Sequence, residues 1–346
     1  MSATETAAGP EVLELPAMPA TGPLYRRAAM SLLPGVGAAR GAHLPALQVV
    51  VRDVAVDRAH LAAYDRVCGF RLRDTLPATY PHVMSAALSM RLMTAPGFPF
   101  PVVGLVHVGN RITVRRQIDA GERLTFTGYA TDLRPHERGR QFDLVVTAAI
   151  DGEVVWDDVS TYLRRGGPAG GTDGTADGAA DGTDGGAASG DRSGAAPGGD
   201  APRDGRRGED RPAPPAATAR WRVEPAVAKA YAAVSGDHNP IHTSRIGARA
   251  FGFPRPIAHG MWSKARCLSA IEERLPEAYT VDVAFKLPIL LPATVALAAT
   301  PLGATPRPGG LAPGGFALHD VRSGKPHLSG SVSAEAGMTT GSTGNM

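Results

Sequence analysis

The chain has 346 residues, a formal net charge of +3 and two cysteines, Cys68 and Cys267. That length exceeds one small core and suits two domains, and the scattered basic residues, without an aromatic-interleaved stripe, exclude nucleic acid as a partner. Two cysteines in unrelated contexts exclude a disulfide framework or a cysteine zinc site and suit a reducing cytoplasm; no apolar run is long enough for stable membrane insertion.

Residues 1–43 read as an N-terminal extension, partly disordered. The first 22 residues mix acids, prolines and small residues and lack the basic and apolar regions of a secretory leader. Residues 25–33 (YRRAAMSLL) have the spacing of a short basic amphipathic helix, for which docking on its own domain is favoured over a membrane surface. Residues 44–165 form a first folded unit. Within it, 57–67 (DRAHLAAYDRV) predicts a helix, and Tyr80-Pro81-His82-Val83-Met84 opens a second. Strand-like runs follow at 102–108, 110–118, 122–132, 141–150 and 153–163.

Between 166 and 217 the composition shifts to Gly, Ala, Asp, Thr, Ser, Pro and Arg, with no large apolar residue. Such a segment has nothing to offset its ordering entropy and reads as a disordered linker. Residues 218–336 form the second unit. A helix is predicted at 223–234, with Glu224-Pro225 as its first turn, and another at 261–275. Strands are predicted at 280–287, 294–300, 315–321 and 326–333, and residues 337–346 read as a disordered tail. The order helix, turn, long helix, antiparallel strands thus occurs twice. It describes an α+β unit in which a curved antiparallel sheet wraps a central helix.

The chemistry concentrates in Ser235-Gly236-Asp237-His238-Asn239-Pro240-Ile241-His242 and the following Ile257-Ala258-His259-Gly260-Met261. Gly236 and Pro240 hold Asp237 and His242 on a turn, where a water between carboxylate and imidazole can surrender a proton. Gly260, opening an apolar helix, offers a backbone N–H that no side chain obstructs. Together these suit addition or loss of water beside a carbonyl. Two blander readings stand next to this one. Asp237 or Asn239 can simply cap the next turn, and His242 alone can be a satisfied structural histidine. Asp237, His238, His242 and His259 can also gather around a metal, but the spacing matches no usual ligand set, so none is expected.

Tyr231-x3-Ser235-Gly236-Asp237-x-Asn239-Pro240-Ile241-His242, followed by Gly252-Phe253-Pro254-x-Pro256-Ile257-Ala258-His259-Gly260-Met261, resembles the signature of MaoC-like (R)-specific enoyl-CoA hydratases, also called hydratase 2. Phe285-Lys286-x-Pro288-Ile289-x-x-Pro292 looks like that family's strand and turn after the central helix. The resemblance implies a double hot-dog: two central helices, each wrapped by a curved antiparallel sheet. It implies reversible syn hydration of a trans-2-enoyl thioester to an (R)-3-hydroxyacyl thioester, with no cofactor beyond the coenzyme A or acyl carrier of the substrate. By the same resemblance, Asp237 and His242 activate the water and shuttle the proton. Gly260 polarises the thioester carbonyl, and Asn239 supports the pair. Ser235, Pro240, Ile257, His259, Met261 and Arg255 fall on the substrate side.

Leu76-Pro77-x-x-Tyr80-Pro81-His82 looks like a degenerate copy of the family's repeat. There the aspartate–histidine turn is replaced by Cys68-Gly69-Phe70-Arg71-Leu72-Arg73-Asp74, and Val83 replaces the glycine. That half is expected to be inactive and to make room for an acyl tail, with Met84, Met90 and Met93 as candidate lining. His82 and His107 are expected to be structural. Arg255 and Lys264 are candidates for a carrier phosphate, with solvated surface as the favoured reading. The chain reads as a two-hot-dog monomeric unit, with a homodimer left open as its assembly. The rival functions are a hot-dog thioester hydrolase and a non-catalytic acyl-thioester-binding protein.

Overall fold

Along residues 123–128, 141–150 and 279–283 of this protein, buried and more open residues alternate, so these strands turn one face to a core and one outward. The structure is a computed structural model that describes residues 9–30, 41–166, 214–306 and 310–335. Most of the expected linker, the expected tail and residues 31–33 of the expected N-terminal helix lie outside the described residues.

The chain begins with β1 (Glu11–Leu15), α1 (Thr21–Met30), β2 (Leu47–Ala55) and α2 (Arg58–Cys68). A helical segment broken at Ser85 follows, as α3 (Tyr80–Met84) and α4 (Ala86–Met93). Four strands complete this half: β3 (Leu105–Val114), β4 (Arg123–His136), β5 (Gly139–Ile150) and β6 (Glu153–Arg165). The second half runs β7 (Ala219–Val223), α5 (Pro225–Ser235), α6 (Pro240–Thr243), α7 (Arg245–Ala250) and α8 (Gly260–Ser269). It ends with β8 (Tyr279–Phe285), β9 (Ala293–Ala299), β10 (Gly315–Asp320) and β11 (Pro326–Ala334).

All strands join one 11-stranded sheet in the order β1-β2-β4-β5-β6-β3-β8-β11-β10-β9-β7. Leaving β1 aside, the order is palindromic about β3–β8: β2, β4, β5, β6 and β3 mirror β7, β9, β10, β11 and β8. Two copies of one unit therefore meet edge to edge, which covers an edge that each would otherwise expose. The seam is antiparallel and regular, from Gly109↔Ala284 to Val114↔Tyr279. Ile112 and Val281 are fully buried partners within it. Beneath the sheet the helices of the two halves also meet. Trp262 Nε1 donates to the Val67 carbonyl at 3.2 Å, and Ser269 Oγ to that of Cys68 at 3.0 Å.

Local chemistry explains most element boundaries. Asp57 caps α2 by accepting from the amides of Ala59 and His60 at 2.8 and 3.1 Å. On β5, Phe142, Leu144, Val146 and Ala148 point inward in strict alternation. Gly128 on β4 lets Leu88 of α4 approach so closely that a Cβ there would lie 2.1 Å from its Cδ2.

Some expectations change. The runs expected at 102–108 and 110–118 are a single strand, β3, which continues through an irregularity between His107 and Gly109. The helix expected to reach residue 275 stops at Ser269 and gives way to a short 3-10 turn, Glu272–Arg274. The extension is not an appendage: β1 adds to β2 in parallel, and Leu24 and Ala28 of α1 are buried in the core. Met90 and Met93 also lie in that core.

Lys264 is neither surface nor phosphate ligand. It is fully buried, and its ammonium donates to the Asn110 carbonyl at 3.1 Å, the Asn110 side-chain oxygen and the Val281 carbonyl at 3.2 Å. Asn110 passes the contact on to Asp158, which pairs with His82. Burial lowers the Lys264 pKa to about 7 against the pull of Asp158 and Asp282. One cation thus ties the second half's helix to the first half's sheet. Lys264→Ala, which strands these acceptors, should destabilise the protein by about 3–5 kcal/mol in urea unfolding, whereas Lys264→Met should cost less.

Candidate active site

The site is built from three consecutive caps. Helix α5 ends at Gly236, whose φ of 71° is left-handed and whose N–H closes on the Ala232 carbonyl at 3.0 Å. That turn throws Asp237 out of the helix. Ser235 Oγ accepts the Asp237 amide at 3.2 Å, and Asp237 Oδ1 accepts the Asn239 amide at 3.1 Å. Asn239 in turn caps α6, accepting from Ile241 N at 3.3 Å, with Pro240 in the first turn. Three residues on, His242 points back. Asp237 thus both accepts a backbone amide of the turn and presents a carboxylate to the crevice, so the bland capping reading and the chemical one coexist.

His242 is buried, and its Nδ1 lies 2.8 Å from the Ile257 carbonyl. A carbonyl only accepts, so Nδ1 carries the proton and Nε2 presents its lone pair. Nε2 sits 3.8 Å from Asp237 Oδ2. That gap is too long for a direct hydrogen bond and leaves the two acceptors facing one space. His259 completes the wall: its Nε2 donates to the Asp237 main-chain carbonyl at 3.0 Å, and its ring stacks on His242 with centroids 3.7 Å apart. Tyr231 packs on its other side at 4.9 Å. The Asp237 side chain is enclosed by these groups yet 44% exposed, so the site is an open-mouthed crevice.

Burial acts to raise the Asp237 pKa, but the imidazoles of His259 and His242, the Asn239 amide and the Tyr25 hydroxyl outweigh it and hold the carboxyl below its usual range. Burial lowers both histidines, His259 to about 4 with His242 adding to the effect, and His242 against the pull of Asp237. Near neutral pH the crevice therefore holds a carboxylate and neutral imidazoles. Directly after His259, α8 begins at Gly260, where a Cβ would meet the Phe285 ring at 3.2–3.4 Å. Its amide is at the helix N-terminus, where the dipole favours developing negative charge.

The other expected residues take varied places. Ile257 contributes its carbonyl to His242 and its amide to Ile241 O at 3.1 Å. Met261 is buried in the hydrophobic core, and Arg255 is half-exposed in the loop before it. His238 is exposed and outside the cluster. Asp237, His242 and His259 do bring ligand atoms within 4.8 Å of one another, the geometry of a small metal site. The His259 nitrogen nearest the Asp237 carboxylate is, however, already donating to a carbonyl, so a cation would have to break that bond.

In the first half, His82 occupies the position of His259 and pairs with the buried Asp158. His107 stacks between Tyr162 and Phe285, at 4.7 and 5.0 Å, and burial lowers its pKa to about 3. Among the described residues this half pairs its carboxylate and imidazole directly, His82 on Asp158, and leaves no open gap between them. One contact has no counterpart among the expected site residues: Tyr25, from the N-terminal extension, donates to Asp237. Its only sequence signal was the amphipathic spacing that predicted α1.

A two-copy hot-dog with an aspartate–histidine crevice beside a helix N-terminus is the architecture of the MaoC-like dehydratases, and the chain belongs to that family. The MaoC like domain matches residues 209–306. The chain is 36% identical over 277 residues to 3-hydroxyacyl-thioester dehydratase X of Mycobacterium tuberculosis, covering 78% of this chain and 85% of that protein. The crystal structure of HtdX from the same organism superposes with a TM-score of 0.63 at 32% identity, over 83% of this chain and all of that one. A MaoC-like dehydratase from Phytophthora capsici shares the fold, with a TM-score of 0.57 at 16% identity over 84% of this chain and 96% of that one.

Because the His242 pKa is lowered, its neutral form persists to more acid pH than a free imidazole would allow. The acid limb of kcat/KM should lie below the ordinary histidine value of about 6.5. A pH–rate profile checks this, and a limb above that value would contradict the geometry.

Proposed function

We propose that this site adds water across trans-2-enoyl thioesters to give (R)-3-hydroxyacyl thioesters, and runs the reverse dehydration, in fatty-acid or related lipid metabolism. The acyl carrier is coenzyme A or an acyl carrier protein. The observation that carries the reading is the 3.8 Å gap between Asp237 Oδ2 and His242 Nε2, both of them acceptors. A water held there donates one hydrogen to each and turns its lone pairs toward the substrate.

In hydration the water oxygen bonds to Cβ and one of its protons passes to the dyad. The Cα–Cβ double bond shifts its electrons toward the thioester oxygen, where the Gly260 amide stabilises the developing charge. The dyad then returns a proton to Cα, so one water has been added and the protein is unchanged. Oxygen and proton leave the same face, which makes the addition syn. No organic cofactor or metal enters these steps. The substrate-facing side is completed by Ser235, Asn239 and Pro240, which fix the turn, and by Arg255 at the mouth. Pairing of β3 with β8 already joins both halves in one chain, so the homodimer is not needed to complete the site.

Incubation with crotonyl-CoA should remove the enoyl absorbance without releasing free thiol, and chelating agents should leave the rate unchanged. Free thiol without a hydroxyacyl product would indicate a hydrolase instead. Asp237→Asn and His242→Ala should each lower kcat by roughly 10²–10⁴-fold, with circular dichroism unaltered; full activity in both variants would remove the assignment.

A further inference from the structure

The N-terminal segment does more than extend the sheet. Helix α1 lies across the turn that presents Asp237. A Cβ placed on Gly236 would be 3.4 Å from Thr21 Cγ2, so the first turn of α1 sits on the left-handed cap itself. One helical turn on, Tyr25 Oη donates to Asp237 Oδ1 at 3.2 Å, a contact between residues 212 apart in sequence. The helix is anchored by Leu24 and Ala28, which are 8% and 3% exposed, and by the parallel pairing of β1 with β2. Both anchors belong to the first half, whereas Asp237 belongs to the second.

The two carboxylate oxygens of Asp237 are therefore used differently. Oδ1 takes the Asn239 amide at 3.1 Å and the Tyr25 hydroxyl at 3.2 Å. Oδ2 faces His242 and His259, at 3.8 and 3.9 Å. With Oδ1 saturated, the plane of the carboxylate is set and Oδ2 alone is left to hold the water. Two directed donors do this; the Asn239 amide by itself would leave the side chain free to turn about its last torsion.

We infer that Tyr25 is a positioning residue for the hydration reaction: it completes the active site from outside the matched domain, fixing which oxygen of Asp237 receives the water. The first half, though it lacks a dyad, thereby takes part in the chemistry of the second. Residue 25 lies well before the segment at 209–306 that matches the MaoC like domain, so that domain by itself is an incomplete site. Tyr25 is suited to a donor's role, because burial first and then Asp237 raise its pKa far above neutrality and keep the proton on the phenol.

This inference rests on the hydration reading, and Tyr25→Phe in the full-length protein tests it. The change deletes one oxygen and keeps the ring. Loss of a hydrogen bond to a charged group should lower kcat roughly tenfold to a hundredfold, with KM altered less than about threefold, as expected for a group that does not bind substrate. Because the lost donor favoured the charged carboxylate, the Asp237 carboxyl should titrate at higher pH in the variant. The groups facing that carboxyl are His242, His259, Tyr25, Tyr231 and Tyr162. Carbon-13 NMR of the aspartate carboxyls, compared with Asp237→Asn to assign the signal, separates its titration from theirs. In the Asp237→Asn background, Tyr25→Phe should add little, since the two act through one group. A Tyr25→Phe protein with unchanged kcat and an unmoved Asp237 titration would overturn the inference. Absence of hydration by the unmodified protein would instead overturn the reading beneath it.

Discussion

The pairing of β3 with β8 is the interaction on which the rest of the molecule depends. It joins a six-stranded and a five-stranded sheet into one and brings α2 against α5 and α8. It also places Asn110 of one half over Lys264 of the other. A charged amine is costly to bury, and here it is tolerated because three carbonyl oxygens from both sides of the seam receive its protons. The seam also determines what surrounds the reactive crevice. Phe285 on β8 meets the start of α8, and behind it stands His107 on β3, so the wall of the site is assembled from strands of both halves.

Within that frame the crevice works by keeping charge unshared. Asp237 is enclosed, yet its carboxyl is held below its usual range against burial, by His259 and His242 first and then by the Asn239 amide and the Tyr25 hydroxyl on one of its oxygens. His242 and His259 are neutral because burial penalises their cations more than Asp237 rewards them. A direct aspartate–histidine bond would have closed the space that the chemistry uses. The local caps prevent it: Asn239 and Pro240 set the start of α6, and the Ile257 carbonyl draws the His242 ring away from the carboxylate.

The first half illustrates how a duplicated fold divides labour. It retains the helix start at Tyr80 to Met84 and the histidine equivalent to His259. Its polar residues, His82, Asp158, Asn110 and Ser160, are committed to a buried network that leads to Lys264. Its contribution to the site is mechanical, through the seam and through α1. Residues 11–28 are held by two ordinary devices, a parallel strand pair and two apolar side chains in the core.

Much of this was legible in the chain itself. The strand-like runs at 141–150 and 153–163, the helical run at 57–67 and the repeated order of elements identified two α+β units, because these signals depend only on near neighbours. The turn from Ser235 to His242 was equally readable: glycine and proline restrict the backbone within a few residues, and the reactive types sit inside that span. Helix ends were less so, since the apolar spacing up to Leu275 continues beyond the point where α8 stops. Lys264 and Tyr25 could not be read at all. A lysine at helical spacing is ordinarily solvated, and nothing around it in sequence announces the carbonyls of Asn110 and Val281. Nor does anything near Tyr25 announce an aspartate 212 residues away. Local sequence determined the two units and the dyad because backbone preference and capping are short-range forces. Which lysine is buried and which tyrosine reaches the carboxylate were decided only when the two halves met, since those contacts join residues of both halves.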